Sequence, residues 1–273
     1  VQVLGIHVPE FPFAKDVRQV QAAARRLGIP YPILLDNEYA NWDAFANRYW
    51  PTVYLIDAHG YIRAAHSGEG GYEEKESALR ALILEMNPNA ALPPPVGVLR
   101  AEDESGAVCF RTTPELHAGY DRGALGNPEG YAPRGQTRTY ELPPHRQDGF
   151  YYAAGVWQAA EHSLALVGEA GALVLPYHAA TGNAVMAPAL DLENAAPLTV
   201  RVSQDGAPLT PENAGADIFF EHGQSYVRVD AARSYQLAKN PNAQPHELKL
   251  EISQSGLVLY AFSFSTCTVV ENS

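Results

Sequence analysis

The step Tyr49-Trp50-Pro51, running straight into Thr52-Val53-Tyr54-Leu55-Ile56, restricts the fold more than any other feature of this chain. Proline has no backbone N–H, so it can stand at the mouth of a buried strand but not inside its hydrogen-bond ladder, and X-Pro bonds are the ones that readily go cis. Asp57-Ala58-His59-Gly60 supplies turn residues, and a second apolar run begins at Tyr61. A hairpin over 52–57 and 61–67 is therefore expected, with Pro51 shaping its entry.

The flanking sequence alternates between strand and helix patterns. Residues 1–8 read as a buried strand. Across 14–27, Val17, Val20, Ala24 and Leu27 fall at i, i+3, i+7 and i+10, a helical stripe that Gly28 ends. A short strand over 31–35 closes at Asp36-Asn37, and Asn41 or a neighbour caps a second short helix carrying Trp42, Phe45 and Tyr49. A longer helix is expected over 72–86. Strands interleaved with helices predict an α/β domain over residues 1–87.

Residues 88–97 contain Pro93-Pro94-Pro95, which favours an extended, semi-rigid linker. From residue 98 to 273 the texture is all-β. Strand-like runs recur at 107–111, 149–153, 163–168, 171–178, 198–204, 217–220, 225–230, 247–253 and 257–265, separated by clusters such as Gly168-Glu169-Ala170-Gly171. Many short strands with few helices predict a sandwich, read here as a jelly roll. Residues 120–145, rich in Gly and Pro, read as a long loop.

A net charge of −12 without a basic block argues against nucleic acid and anionic membrane surfaces as partners. No apolar run reaches the roughly 20 residues that a membrane-spanning helix needs. The chain begins with Val1 already in a strand-like run, which reads as a fragment or processed form of a longer protein. Its two cysteines, Cys109 and Cys267, lack the spacing of a zinc site or a Cys-x-x-C; they are either buried thiols or a disulfide formed in an oxidising compartment. Asp191, Glu193, Asp205 and Asp217 do not have calcium-loop spacing, so no metal and no cofactor are expected. His7 and His66 read as structural. Serine-hydrolase, phosphate-loop and His-Glu-x-x-His motifs are absent.

The Trp50-Pro51 hairpin, together with Leu4-Gly5-Ile6-His7-Val8-Pro9-Glu10-Phe11 and Gly68-Glu69-Gly70-Gly71-Tyr72, resembles the thioredoxin-fold redoxins, and most of all the DipZ-type, TlpA-like thiol–disulfide oxidoreductases. In that family a cis-proline opens a central strand and faces the redox Cys-x-x-C. The resemblance implies that Trp50 and Pro51 dock an extended substrate, with plain strand entry and core packing as the alternatives. It implies auxiliary proton-transfer roles for Glu10 and Glu69, against ordinary surface carboxylates. The strand and helix that would carry the Cys-x-x-C have no counterpart here, so the thioredoxin-like domain is incomplete at its N-terminus. Its sheet centre must come from an upstream piece, another chain or a rearranged segment. No catalytic residue is then expected in this chain, which alone would be inactive. Protein thiols or disulfides would be the substrates, in an extracytoplasmic (periplasmic or cell-surface) setting.

In the second domain, Thr113-Pro114-Glu115-Leu116-His117-Ala118-Gly119-Tyr120, Gly155-Val156-Trp157, Gln204-Asp205-Gly206-Ala207-Pro208-Leu209 and Leu259-Tyr260-Ala261-Phe262-Ser263-Phe264 resemble the β-sandwich that follows the thioredoxin-like domain in DipZ-type proteins. Such sandwiches look like carbohydrate-binding modules. Glycan is accordingly an expected partner, with Tyr151, Tyr152 and Trp157 as its platform, or else these rings belong to the core. The alternative to a redox fragment is a non-catalytic module that binds glycan or protein.

Overall fold

The computed structural model describes residues 1–98, 108–109, 111–189, 195–265 and 267–268. Asp191 and Glu193 lie outside them, as do the side chains of Cys109 and Cys267. The chain divides into two compact units. One takes Val1–Glu10 and Val20–Val108, the other Phe11–Gln19 and Cys109–Thr268.

In the first unit, β1 (Gly5–His7) pairs in parallel with β2 (Ile33–Leu35), Ile6 opposite Leu34. Helix α1 (Val17–Arg26), whose first three residues fall in the second unit, starts three residues later than the expected residue 14. Pro12–Lys15 form a 3-10 turn, and the Asp16 carboxylate then accepts the Arg18 N–H at 2.8 Å, an N-cap that sets the helix start. At the other end Gly28 adopts φ +63°, and the Ile29 N–H reaches the Ala24 carbonyl at 2.9 Å, closing the helix as its glycine predicts.

Helix α2 (Ala40–Ala44) follows β2, and β3 (Thr52–Ile56) pairs antiparallel with β4 (Ile62–Ser67), Val53 opposite His66. The hairpin turn is held by Asp57, which accepts the N–H groups of His59 (2.9 Å) and Tyr61 (3.0 Å), with Gly60 at φ +87°. Helix α3 (Tyr72–Met86) is tied to β4 by a bidentate Arg63–Glu85 pair, both contacts 3.0 Å. The proline-rich linker lies along α3: Glu76 accepts the Val96 N–H at 3.0 Å, and Arg80 donates to the Pro93 carbonyl.

Among the described residues, β1–β2 and β3–β4 remain two separate two-stranded sheets. Val3, Leu4, Ile6, Leu34, Val53 and Ile56 are all exposed, whereas Val20 is buried. A mixed sheet covered by helices should bury such residues, so this unit has the periphery of a core without its centre.

The second unit is strand-rich. Its elements are β5 (Val108–Cys109), β6 (Leu116–His117), β7 (Thr137–Tyr140), β8 (Tyr152–Ala159), β9 (Leu164–Ala187), β10 (Leu198–Gln204), β11 (Ala207–Pro208), β12 (Ile218–Glu221), β13 (Gln224–Val229), β14 (Arg233–Ile252), β15 (Val258–Ser265) and β16 (Cys267–Thr268). Ten of them form one sheet in the order β12-β13-β10-β14-β9-β15-β6, with β8 also on β9, β7 on β8 and β11 on β10. The two cysteine-bearing strands, β5 and β16, pair with each other.

Strand β9 is the spine. Val258 and Leu259 of β15 neighbour both Leu164–Ala165 and Met186–Ala187, so β9 curls until its two ends meet one partner. The curl encloses the main core, in which Trp157, Tyr151, Tyr177, Tyr235, Leu175 and Phe262 are all at most 1% exposed. Phe11 and Phe13 stack (5.8 Å between ring centres) and pack on Tyr260 beside Val185 and Val258, a smaller second cluster.

Two expectations change here. The cluster Gly168–Gly171, read as a turn between strands, lies in a bulge within β9, since Trp157 pairs with Leu166 and Gly155 with Gly171. The loop expected over 120–145 contains strand β7.

Candidate functional site

The site that the hairpin motif singles out is built from the α2 entry upward. Asp36, 3% exposed, accepts the backbone N–H groups of Asn41 (3.0 Å) and Trp42 (2.8 Å) and the Asn41 side-chain amide (3.1 Å). Asp36 therefore caps α2, where Asn41 or a neighbour was expected to; Asn41 is one of the donors. Burial alone would raise the Asp36 carboxyl, but these hydrogen bonds outweigh it and hold the group below the ordinary carboxylate range. Tyr39, in the left-handed region at φ +61°, swings its hydroxyl onto the Pro9 carbonyl at 2.6 Å.

With the cap fixed, three rings form a ladder. Tyr39 meets Trp42 edge-on at 6.2 Å, and Trp42 lies 4.4 Å from Trp50. Trp50 stands at the outer end, 51% exposed, beside Tyr49 at 64%. The Trp50–Pro51 peptide bond is cis. The loop before it is held from both sides: Thr52 Oγ1 and Asn47 Nδ2 donate to the Tyr49 carbonyl at 2.9 and 3.0 Å, and the Tyr54 hydroxyl reaches Asn47 Oδ1 at 3.1 Å. The Pro51 carbonyl accepts the Gly68 N–H at 2.7 Å.

These contacts fix where the sequence-predicted residues stand. Trp50 and Pro51 are adjacent and exposed at the start of β3. Glu69 follows Gly68, the residue that clamps Pro51, and accepts the Tyr72 hydroxyl at 3.0 Å. Glu10 is half-buried and follows Pro9, the acceptor for Tyr39. The His66 ring lies under Gly71, where an added Cβ would fall 2.4 Å from it, in keeping with a structural histidine.

Chemically the arrangement offers a half-exposed indole face and a strand edge. Among the described residues β3 pairs with β4 alone, which leaves its other edge able to take a further strand. A nucleophile is not part of this group of side chains.

The proposed glycan platform is corrected by burial. Tyr151, Tyr152 and Trp157 are 0%, 4% and 0% exposed. Trp157 Nε1 donates to the Ala154 carbonyl at 2.8 Å, and the Tyr151 hydroxyl pairs with that of Tyr131 at 2.8 Å. Burial lifts the Tyr131 hydroxyl to about 12 and Tyr151 well above the ordinary phenol range. All three rings are buried, Tyr151 and Trp157 within the main core, so none is available as a platform. The rings that do stand out on the sheet are Phe219 and Phe220 of β12, with Tyr226 of β13 half-buried beside them. The available signal was the adjacent aromatic pair Phe219-Phe220 in a strand of only four residues.

Residues 113–265 match the family described as "Thioredoxin like C-terminal domain". Protein DipZ of Mycobacterium bovis and of Mycobacterium tuberculosis are each 34% identical over 177 residues, covering 65% of this chain and 25% of theirs. Thiol-disulfide oxidoreductase YkuV of Bacillus subtilis is 28% identical over 85 residues, 31% of this chain and 57% of its own. The chain therefore spans about a quarter of the length of the DipZ proteins it matches. Among the described residues no helix is long and apolar enough to cross a membrane.

Proposed function

The chain belongs to the thioredoxin-like C-terminal domain family, and from that premise we propose that it is the C-terminal part of an extracytoplasmic thiol–disulfide oxidoreductase whose redox Cys-x-x-C lies upstream. The observation that carries this reading is the pair of half-sheets, β1–β2 and β3–β4, each with an open edge and apolar residues left in solvent. One further strand between β1 and β3 would join them and bury Ile6 and Val53. In this reading that strand leads into the helix bearing the cysteines. The domains divide as residues 1–87, a linker over 88–97, and a jelly-roll sandwich over 98–273.

The chemistry is thiol–disulfide exchange. A thiolate from the Cys-x-x-C attacks one sulfur of a substrate disulfide, the other leaves as a thiol, and the second cysteine resolves the mixed disulfide. This chain's part is to hold the substrate. The Trp50 indole offers an apolar wall, the backbone before Pro51 a place for an extended segment, and Glu10 and Glu69 carboxylates for proton traffic.

The test is a disulfide-reduction assay on the chain as it stands and on a version extended upstream through the next strand–helix unit. The chain alone should give no turnover. The extended protein should turn over, and lose activity when either new cysteine becomes Ser. Robust turnover by the present chain, or a source gene with no Cys-x-x-C upstream, would sink the reading. A second reading, a non-catalytic module for glycan or protein, draws on the exposed rings of β12.

A further inference from the structure

The outer face of the second unit's terminal strands carries a row of side chains that neither the core nor the redox reading uses. Along β10, β13 and the last part of β14, buried Val200, Val202, Val227, Val229, Leu250 and Ile252 alternate with outward residues. Register lines up four outward positions across four adjacent strands: Phe219 opposite Tyr226, Tyr226 opposite Arg201, Arg201 opposite Glu251. At the edge, the Phe219 and Tyr226 rings lie 5.7 Å apart and within 28° of parallel, with Phe219 38% exposed. Beside them Arg201 Nε donates to Glu251 Oε2 at 2.9 Å, and Lys249 Nζ reaches Glu251 Oε1 at 2.9 Å.

We propose that this row, Phe219–Tyr226–Arg201–Glu251, is a binding site for a neutral, pyranose-based oligosaccharide laid flat across the strands. A pyranose has an apolar C–H face and a rim of hydroxyls that both donate and accept. Near-parallel aromatic faces meet the first, and an Arg–Glu–Lys group, one carboxylate between two cations, meets the second, offering both donors and acceptors of hydrogen bonds. Three strand spacings of ~4.8 Å make the row roughly 14 Å long, the reach of a short oligosaccharide rather than a single sugar. Other occupants fit less well. An amphipathic helix needs an aliphatic groove, which this face lacks. A polyanion would meet Glu251 and a chain of net charge −12. An added β-strand would pair with the edge of β12, leaving the face untouched.

The proposal deepens the glycan reading stated above and is independent of the redox one. Its test is affinity electrophoresis of the full chain through gels containing hydroxyethylcellulose, xylan, glucomannan or galactomannan, followed by calorimetry with oligosaccharides of whichever polymer retards it. Retardation by at least one polymer is expected, with Phe219→Ala and Tyr226→Ala each weakening binding about tenfold or more. Tyr226→Phe, which keeps the ring, should stay near the native affinity, and Arg201→Gln should weaken binding without altering the circular dichroism. Binding that survives both alanine variants would overturn this face as the site and leave the glycan reading standing. No retardation by any of the polymers would overturn both.

Discussion

The two units spend similar residues to opposite effect. In the second, aliphatic and aromatic side chains converge on one core, and large rings and leucines there, Trp157, Tyr235 and Leu175 among them, are almost wholly buried. In the first, Val3, Leu4, Ile6, Val53 and Ile56 stand in solvent, while Val20 is buried. Hydrophobicity alone therefore does not make a core; a closed arrangement of partners does. The second unit owns every strand its core needs. The first has complete local structure, with caps, turns and a bidentate ion pair, arranged around a gap.

That contrast is breakable by experiment, and the largest effect belongs to the second unit. Leu175→Ala should cost about 2–5 kcal/mol, read from urea unfolding followed by Trp157 fluorescence. The matched deletion in the first unit, Ile56→Ala, should change stability by less than about 0.5 kcal/mol in this chain, because the side chain is 49% exposed. Once an upstream strand is added, the same substitution should become a core deletion. An Ile56→Ala cost that is already large in the present chain would mean that the gap is filled.

A middle-sized effect tests whether local structure in the first unit stands without a core. Asp36→Ala removes the acceptor for Asn41 and Trp42, and their amides should exchange roughly tenfold faster with solvent. The pH dependence has a definite sign. The folded carboxyl titrates below its unfolded value, so the stabilisation is present above the unfolded pKa and disappears as pH falls through the folded one. Acid titration of exchange at Trp42 should show this in the native chain and lose it in the variant. The smallest effect is expected on the sheet's outer face. Arg201→Gln should alter stability by less than about 1 kcal/mol, since the pair is solvent-exposed, even where it weakens saccharide binding.

How far the fold could be read from sequence follows the same division. Gly28, the Asp57 turn and the Pro51 strand entry were legible because each acts locally, Gly28 and Pro51 through their own backbone and Asp57 through a carboxylate that reaches residues 59 and 61. The Asp36 cap was not, because it reaches its acceptor role across a left-handed Tyr39. The first half of β14, which carries Pro241 and Pro245, was not among the expected strands, whose run there covers 247–253. The strand survives because its register jumps between Lys239 and Gln244 and bulges out residues 240–243. There buried Asn240 joins Tyr177 and Gln204 in a polar triangle, Nδ2 to the Tyr177 hydroxyl at 2.9 Å, a contact between distant segments that no local pattern announces. Trp157 and its neighbours were visible as a cluster, but only the pairing of β8 with β9 decides which way they face. The Trp50–Pro51 half of the candidate site was thus readable from its motif, and the outward row on β12, β13, β10 and β14 was not, since register creates it.

The curl of β9 carries one more consequence. A sandwich made of two independent hairpin stacks could open like a book, losing one leaf while the other persisted. Here a single strand of 24 residues serves as the binding of the book, because both of its ends are sewn to β15. Peeling strands from one end of β9 must disturb β15, on which its other end also depends, so the second unit should be lost all at once, with one common opening free energy for its most protected amides.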